Sequence, residues 1–290
     1  MNTHATATSG SERPSYPVSA NKRTEGGKPF LKWAGGKRQL LPAIRACLPE
    51  SFQRYHEPFV GGGAVFFDLG PKRAFLSDAN DELIGCYLAV RDRARELIEA
   101  LRGHVYEKEH YYRVRAWDPA RLDEVARAAR MIYLNRVGFN GLYRVNSKGI
   151  FNVPFGRHKN PKICDEETLL ACSARLKGAD ISRHPFERVL EDAAPGDFVY
   201  FDPPYIPLSR TASFTAYSDL KFDGDDQERL AVVFERLAAR GVQVMLSNSD
   251  VPWVKERYAR FHVRQVLATR KVNSVSTSRG VVGELLVTSY

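Results

Sequence analysis

Apolar residues fall into two patterns along this chain. Short runs end in a glycine, an acid or a proline. Longer stretches between them carry apolar positions at helical spacing. The run Tyr55-His56-Glu57-Pro58-Phe59-Val60 enters Gly61-Gly62-Gly63, and Ala74-Phe75-Leu76-Ser77 enters Asp78. Val199-Tyr200-Phe201 ends in Asp202-Pro203-Pro204-Tyr205, and residues 242–246 end in Ser247-Asn248-Ser249-Asp250. These read as strands, with two more over 261–269 and 284–289. Helical spacing marks Leu40, Leu41, Ile44 and Leu48, then residues 81–90, most of 91–136, 165–177 and 226–240. Strands alternating with helices predict an α/β fold on a largely parallel sheet.

The run before Asp202 is apolar throughout, as a parallel strand buried on both faces must be. Pro203 and Pro204 stop it at its carboxyl end, where open α/β sheets bind ligands. Asp202 offers carboxylate oxygens that accept from an NH2 group. The prolines have no N–H, so their carbonyls stand without competing donors. Tyr205 adds a flat ring. Two acceptors and one face describe a pocket for a planar base with an exocyclic amine. The plainer reading, a strand leaving through a turn, explains the tetrapeptide alone equally well.

The glycine turn at 61–63 lies between a strand and a helix, where backbone can approach a nucleotide-like ligand. An acid roughly twenty residues past such a turn is placed to bind ribose hydroxyls. Asp78 meets that spacing, although it could equally cap the helix at 81–90. Gly35-Gly36 before Lys37 can aim N–H groups at an anion, but this is no Walker A loop, because its first glycine is missing and Arg38 follows the lysine. By itself the glycine pair reads best as a turn into a surface helix.

Composition narrows the partners. The net charge is +9 over 290 residues, which favours a polyanion. The charge is unevenly spread: residues 125–164 hold eight Lys and Arg and no acid, in a chain with 34 acids. Phe139, Tyr143, Phe151 and Phe155 are interleaved there. Residues 142–145, 146–149 and 150–153 read as a hairpin, with Gly149 suited to positive φ. Such a hairpin suits a duplex: Lys and Arg neutralise phosphates, Arg and Asn read base edges, and rings wedge or stack. No apolar run could span a bilayer. The first 27 residues lack the apolar core of a secretory signal and read as a disordered tail. Cys47, Cys86, Cys164 and Cys172 form no C-x-x-C pair and read as reduced cytosolic thiols; no metal-ligand spacing accompanies them.

Together the motifs resemble the D12-class, Dam-like adenine-specific DNA N6-methyltransferases. They are Lys32-Trp33-Ala34-Gly35-Gly36-Lys37, Glu57-Pro58-Phe59-Val60-Gly61-Gly62-Gly63, Ser77-Asp78-Ala79-Asn80, Asn135-Arg136-Val137-Gly138-Phe139-Asn140-Gly141-Leu142, Phe151-Asn152-Val153-Pro154-Phe155-Gly156-Arg157 and Asp202-Pro203-Pro204-Tyr205. They stand in the family's order. The resemblance implies a Rossmann-like domain for S-adenosyl-L-methionine over residues 28–90 and 165–290. A helical and β-hairpin target-recognition insertion would occupy 91–164. It implies cofactor contacts at Trp33, Lys37, Gly61, Gly63, Asp78 and Asp202, and chemistry at Asp202, Pro203, Pro204 and Tyr205. Lys32, Asn140, Leu142, Arg144, Pro154 and Arg157 fall where Dam reads its target, and Phe139 where Dam pushes a ring into the base stack. His158 departs from the tyrosine usual after that arginine. The implied reaction is methylation of adenine N6 in duplex DNA, with GATC the expected site. A monomer is expected, with no metal and no membrane. An N4-cytosine enzyme is the near alternative, and an inactive DNA-binding relative the remoter one. None of the cysteines follows a proline, so the Pro-Cys nucleophile of cytosine-C5 methyltransferases is absent.

Overall fold

The computed structural model describes residues 16–17, 27–206, 222–269 and 281–290. Residues 206–223, whose sequence carries no clear period and reads as a cover over the pocket, and residues 270–280, which read as a basic, polar loop, lie almost wholly outside them.

The apolar runs build a seven-stranded sheet ordered β5-β4-β3-β6-β7-β9-β8. Its members are β3 (Tyr55–Glu57), β4 (Ala74–Asp78), β5 (Ala179–Arg183), β6 (Phe198–Phe201), β7 (Gln243–Ser249), β8 (His262–Thr269) and β9 (Val281–Thr288). β5, β4, β3, β6 and β7 are parallel; β9 pairs antiparallel with both β7 and β8. The chain order reverses between β3 and β6, which is the topological switch point where such folds bind ligands. This is the Rossmann-like architecture. Two further strands, β1 (Tyr16–Pro17) and β2 (Ser51–Phe52), pair antiparallel. Tyr16 pairs with Phe52 and Pro17 with Ser51.

β6 shows why a central strand reads as a solid apolar run. All its residues are buried, and its alternate side chains serve opposite cores. Phe198 and Tyr200 join one core cluster, Val199 and Phe201 the other. The strand ends at Phe201, just before the prolines, which donate no ladder bond.

The helices are α1 (Leu41–Ala46), α2 (Ala64–Leu69), α3 (Asp81–Asp92), α4 (Ala94–Arg102), α5 (Lys108–Arg115), α6 (Glu124–Val137), α7 (Glu166–Leu176), α8 (Val189–Asp192), α9 (Gly224–Ala239) and α10 (Pro252–Arg257). The first core cluster joins α2, α3, α4, α5, α6 and α7 to one sheet face, and the second joins α8, α9 and α10 to the other. Helices α4 to α6 therefore share apolar core with the sheet.

Local chemistry starts these helices. The Asp123 carboxylate accepts from the Ala126 N–H at 2.9 Å, and Asp223 and Asp226 form a reciprocal capping box at α9. At α3 the cap is Asn80, whose Oδ1 accepts from the Leu83 N–H at 3.0 Å. Asp78 does not cap this helix, so one of its two expected roles is removed. The hairpin forms as a narrow turn with a single bridge between Val145 and Phe151. Backbone bonds from Asn146 to Ile150 (2.9 Å) and from Asn152 to Arg144 (3.0 Å) close it, with Gly149 at φ +72°.

Candidate active site

Three segments far apart in sequence meet at the carboxyl edge beside the switch point. Asp202 follows β6, and its Oδ1 lies 2.7 Å from the Lys37 ammonium. Lys37 is buried, donates to the Gly35 carbonyl at 2.5 Å, and stands 4.5 Å from the centre of the Tyr205 ring. Ser247, at the end of β7, donates to Asp202 Oδ1 at 3.1 Å and is itself bonded to the Tyr200 hydroxyl at 2.9 Å. Burial pushes the Asp202 carboxyl above the usual carboxylate range, while the Lys37 charge and the Ser247 hydroxyl oppose the rise. The net arrangement is an acceptor-rich carboxylate held in place by two donors.

The rest of the turn is pinned from the sheet side. Gln227 of α9 donates through Nε2 to the Pro204 carbonyl at 2.9 Å, and Asn248 donates through Nδ2 to Gln227 Oε1 at 3.0 Å. The Ile206 N–H reaches Asn248 Oδ1 at 3.4 Å, and Ser249 Oγ donates to the Ile206 carbonyl at 2.6 Å. The sequence suggests open carbonyls on both prolines. The structure corrects that for Pro204, whose carbonyl is occupied by Gln227.

The glycine turn forms the neighbouring half of the cleft. Gly61 and Gly63 have φ of +46° and +66°. A side chain at Gly61 would come within 2.8 Å of the Trp33 ring, and one at Gly63 within 2.6 Å of the Tyr87 hydroxyl. The turn therefore has room only for glycine. Asp78, at the end of β4, accepts from the Gly61 N–H at 3.1 Å and the Asn80 N–H at 3.0 Å. Trp33 stacks on Tyr143 of the hairpin with centroids 5.4 Å apart and planes 24° apart. Beneath the turn Glu57 is buried, bonded by the Tyr55 hydroxyl at 2.9 Å, and burial lifts its carboxyl to about 8.

The basic, acid-free stretch at 125–164, with Lys32 beside it, presents a second group of residues. Phe139 is 49% exposed, a large ring left in solvent at the end of α6. Its N–H donates to the Pro154 carbonyl at 2.9 Å, and Asn140 beside it has φ +55°. Lys32, Asn140, Pro154 and Arg157 are exposed; Leu142 and Arg144 are half-buried. Arg144 Nε donates to Asn152 Oδ1 at 2.6 Å across the hairpin. His158, where the family motif departs, makes a ring-nitrogen bond of 3.0 Å to the Gly138 carbonyl, so it buttresses the loop carrying Phe139.

Buried Asn135 ties the two groups together. Its Oδ1 accepts from the Lys32 N–H at 2.9 Å, and its Nδ2 donates to the carbonyls of Lys32 and Gly141, both at 2.8 Å. Asn135 lies in one of the family motifs, which by itself gives it no role. Ser247, Gln227 and Glu284 likewise carry no local sequence signal for a role at the site. The polar end of β7 was visible, yet nothing local said what it faces. Among the described residues no helix is long and apolar enough to cross a membrane, and no group of three or more His, Cys, Asp or Glu forms a metal site.

An acid–proline turn at the switch point of the sheet, beside a basic hairpin, is the ligand-binding edge of an open α/β fold. Residues 33–272 match the D12 class N6 adenine-specific DNA methyltransferases, and the chain belongs to that family. Its activity class is accordingly adenine-specific DNA methylation. It is 49% identical over 271 residues to the type II methyltransferase M1.LlaDCHI of Lactococcus lactis subsp. cremoris, covering 91% of this chain and 95% of that one. Identity to the type II methyltransferase M.MjaIII of Methanocaldococcus jannaschii is 45%, covering 91% and 99%. Identity to the DNA adenine methylase of Escherichia coli K12 is 39%, covering 89% and 93%.

Asp78 and Asn80 supply a paired test. Asp78→Ala is expected to weaken binding of a nucleoside cofactor, because it removes both an acceptor and the anchor of the Gly61 amide. Asn80→Ala removes the helix cap and leaves Asp78 in place, and should cost ~1 kcal/mol of stability at unchanged cofactor affinity. Calorimetric titration and thermal melting on both variants check the separation. Equal cofactor affinity in Asp78→Ala and wild type would refute it.

Proposed function

We propose that this protein acts as a monomer on double-stranded DNA and methylates adenine N6 within GATC, using S-adenosyl-L-methionine. The observation that carries the reading is Asp202, a carboxylate held by Lys37 and Ser247 beside the Tyr205 ring at the switch point. The glycine turn fits the cofactor: positive φ and the absence of Cβ let backbone close on a ligand, and Asp78 brings a carboxylate to the same edge. Trp33, Lys37, Gly61, Gly63, Asp78 and Asp202 would hold it. The cofactor supplies an electrophilic methyl group on a sulfonium.

Adenine N6 is a poor nucleophile because its lone pair is delocalised into the ring. Bonds from its NH2 to Asp202 and to the Pro203 carbonyl favour a more tetrahedral nitrogen with a freer lone pair. Alignment supplies much of the remaining rate. The base leaves the duplex to reach these groups, and Tyr205 stacks on it. Phe139 fills the vacated stack. Lys32, Asn140, Leu142, Arg144, Pro154 and Arg157 read the site from the hairpin side.

The GATC assignment rests on the match of the hairpin residues to Dam's reading positions. It is tested by digesting plasmid methylated by this protein with two nucleases. One cuts GATC only when unmodified, the other only when its adenine is methylated. Protection from the first and cleavage by the second are expected. A plasmid that gains methyl groups but keeps the unmodified pattern with both overturns the assignment.

A further inference from the structure

Tyr205 is fixed at both ends of its side chain. Its backbone is pinned through the neighbouring Pro204 carbonyl and Ile206 amide, as described above. Its hydroxyl donates to Glu284 Oε2 at 2.6 Å. Glu284 lies 79 positions later in the chain, and the sheet order explains the meeting. β9 runs antiparallel to β7, with Glu284 opposite Ser249. The first residues of β9 therefore lie at the edge where the parallel strands end, beside the turn that follows β6. The bond is short and charge-assisted, the stronger class of hydrogen bond. Burial, with Asp202 and Glu284 adding to it, holds the Tyr205 phenol well above its ordinary value, so the hydroxyl stays a donor.

We propose that Glu284 is a positioning residue for adenine methylation. Its bond to the Tyr205 hydroxyl sets the ring plane on which the extruded base stacks. The proposal rests on the reading of Tyr205 as the stacking partner of the base. With the hydroxyl untethered the ring can turn about its side-chain bonds, and the amine of a stacked base then drifts from Asp202. Displacements of an ångström at a reacting centre cost up to about a hundredfold in rate.

The test combines three variants. E284A is expected to lower kcat about tenfold or more and to leave cofactor and duplex affinity within about twofold of wild type, because Glu284 contacts neither directly in this reading. E284Q keeps an acceptor oxygen and should recover most of the rate. Y205F removes the same bond from the other side by a single oxygen and carries the test if E284A folds poorly. The E284A/Y205F double variant should be no slower than the slower single one, since both remove one interaction. A duplex with 2-aminopurine at the target position supplies a second readout. Its emission in the complex should be higher with E284A and Y205F than with wild type or E284Q, because stacking on the ring quenches it. Additive losses in the double variant overturn the proposal. E284Q as slow as E284A overturns it too, by making the charge and not the bond responsible. Wild-type activity on adenine with an unimpaired E284A overturns the positioning role alone. Wild-type protein that transfers no methyl to adenine overturns the reading beneath it.

Discussion

Asp202→Ala is expected to abolish methyl transfer, by about a thousandfold or more, while the fold and duplex binding survive. The carboxylate receives the Lys37 ammonium at 2.7 Å and the Ser247 hydroxyl at 3.1 Å. In the proposed reaction it also accepts from the amine of the base. In the proposed reading the phosphate contacts lie elsewhere, on the basic hairpin, so affinity for duplex should change little. Asp202→Asn should be impaired by about a hundredfold, because an amide offers one acceptor oxygen where the carboxylate offers two. It also leaves the buried Lys37 facing a neutral group. Labelled methyl incorporation and gel-shift binding on the purified variants separate the two effects. Near-normal turnover by either variant removes Asp202 from the mechanism.

Arg144→Ala is expected to relax specificity more than it weakens binding. A guanidinium that bonds O6 and N7 of one guanine together contributes about 1–3 kcal/mol of discrimination against other bases. That is roughly fivefold to more than a hundredfold in preference. In the free protein the Arg144 Nε bond to Asn152 Oδ1, with Nη2 bonded to the Asn152 carbonyl at 3.2 Å, fixes the plane of the group on the hairpin. An arginine serving only a phosphate would instead weaken binding to all sequences alike. The check is competition between a GATC duplex and duplexes substituted at each position, at fixed salt. A uniform loss across all of them would make Arg144 a backbone contact.

How much of this was readable in advance follows from how local each feature is. β6 was legible because burial on both faces demands an unbroken apolar run and the prolines end it. The glycine turn was legible because three consecutive glycines between an apolar run and a helical stretch mark a tight turn where backbone can approach a ligand. The hairpin was legible through Gly149 and the absence of acids around it. The cap of α3 was not, because Asp78 and Asn80 are both chemically able to cap. Distance decided it: Asn80 Oδ1 meets the Leu83 N–H, and Asp78 turns to Gly61.

The sequence by itself determined the α/β alternation, the acid–proline turn, the glycine turn and the basic hairpin, because each depends on residues adjacent in the chain. Only the tertiary structure decided what surrounds Asp202. Lys37 reaches it from before β3, Ser247 from the end of β7, and Glu284 reaches Tyr205 from β9. No local pattern encodes these meetings. They follow from a sheet whose chain order reverses between β3 and β6 and whose late strand β9 lies antiparallel between β7 and β8. That order brings the ends of distant segments to one edge, and burial there makes each polar group take the partner the fold provides.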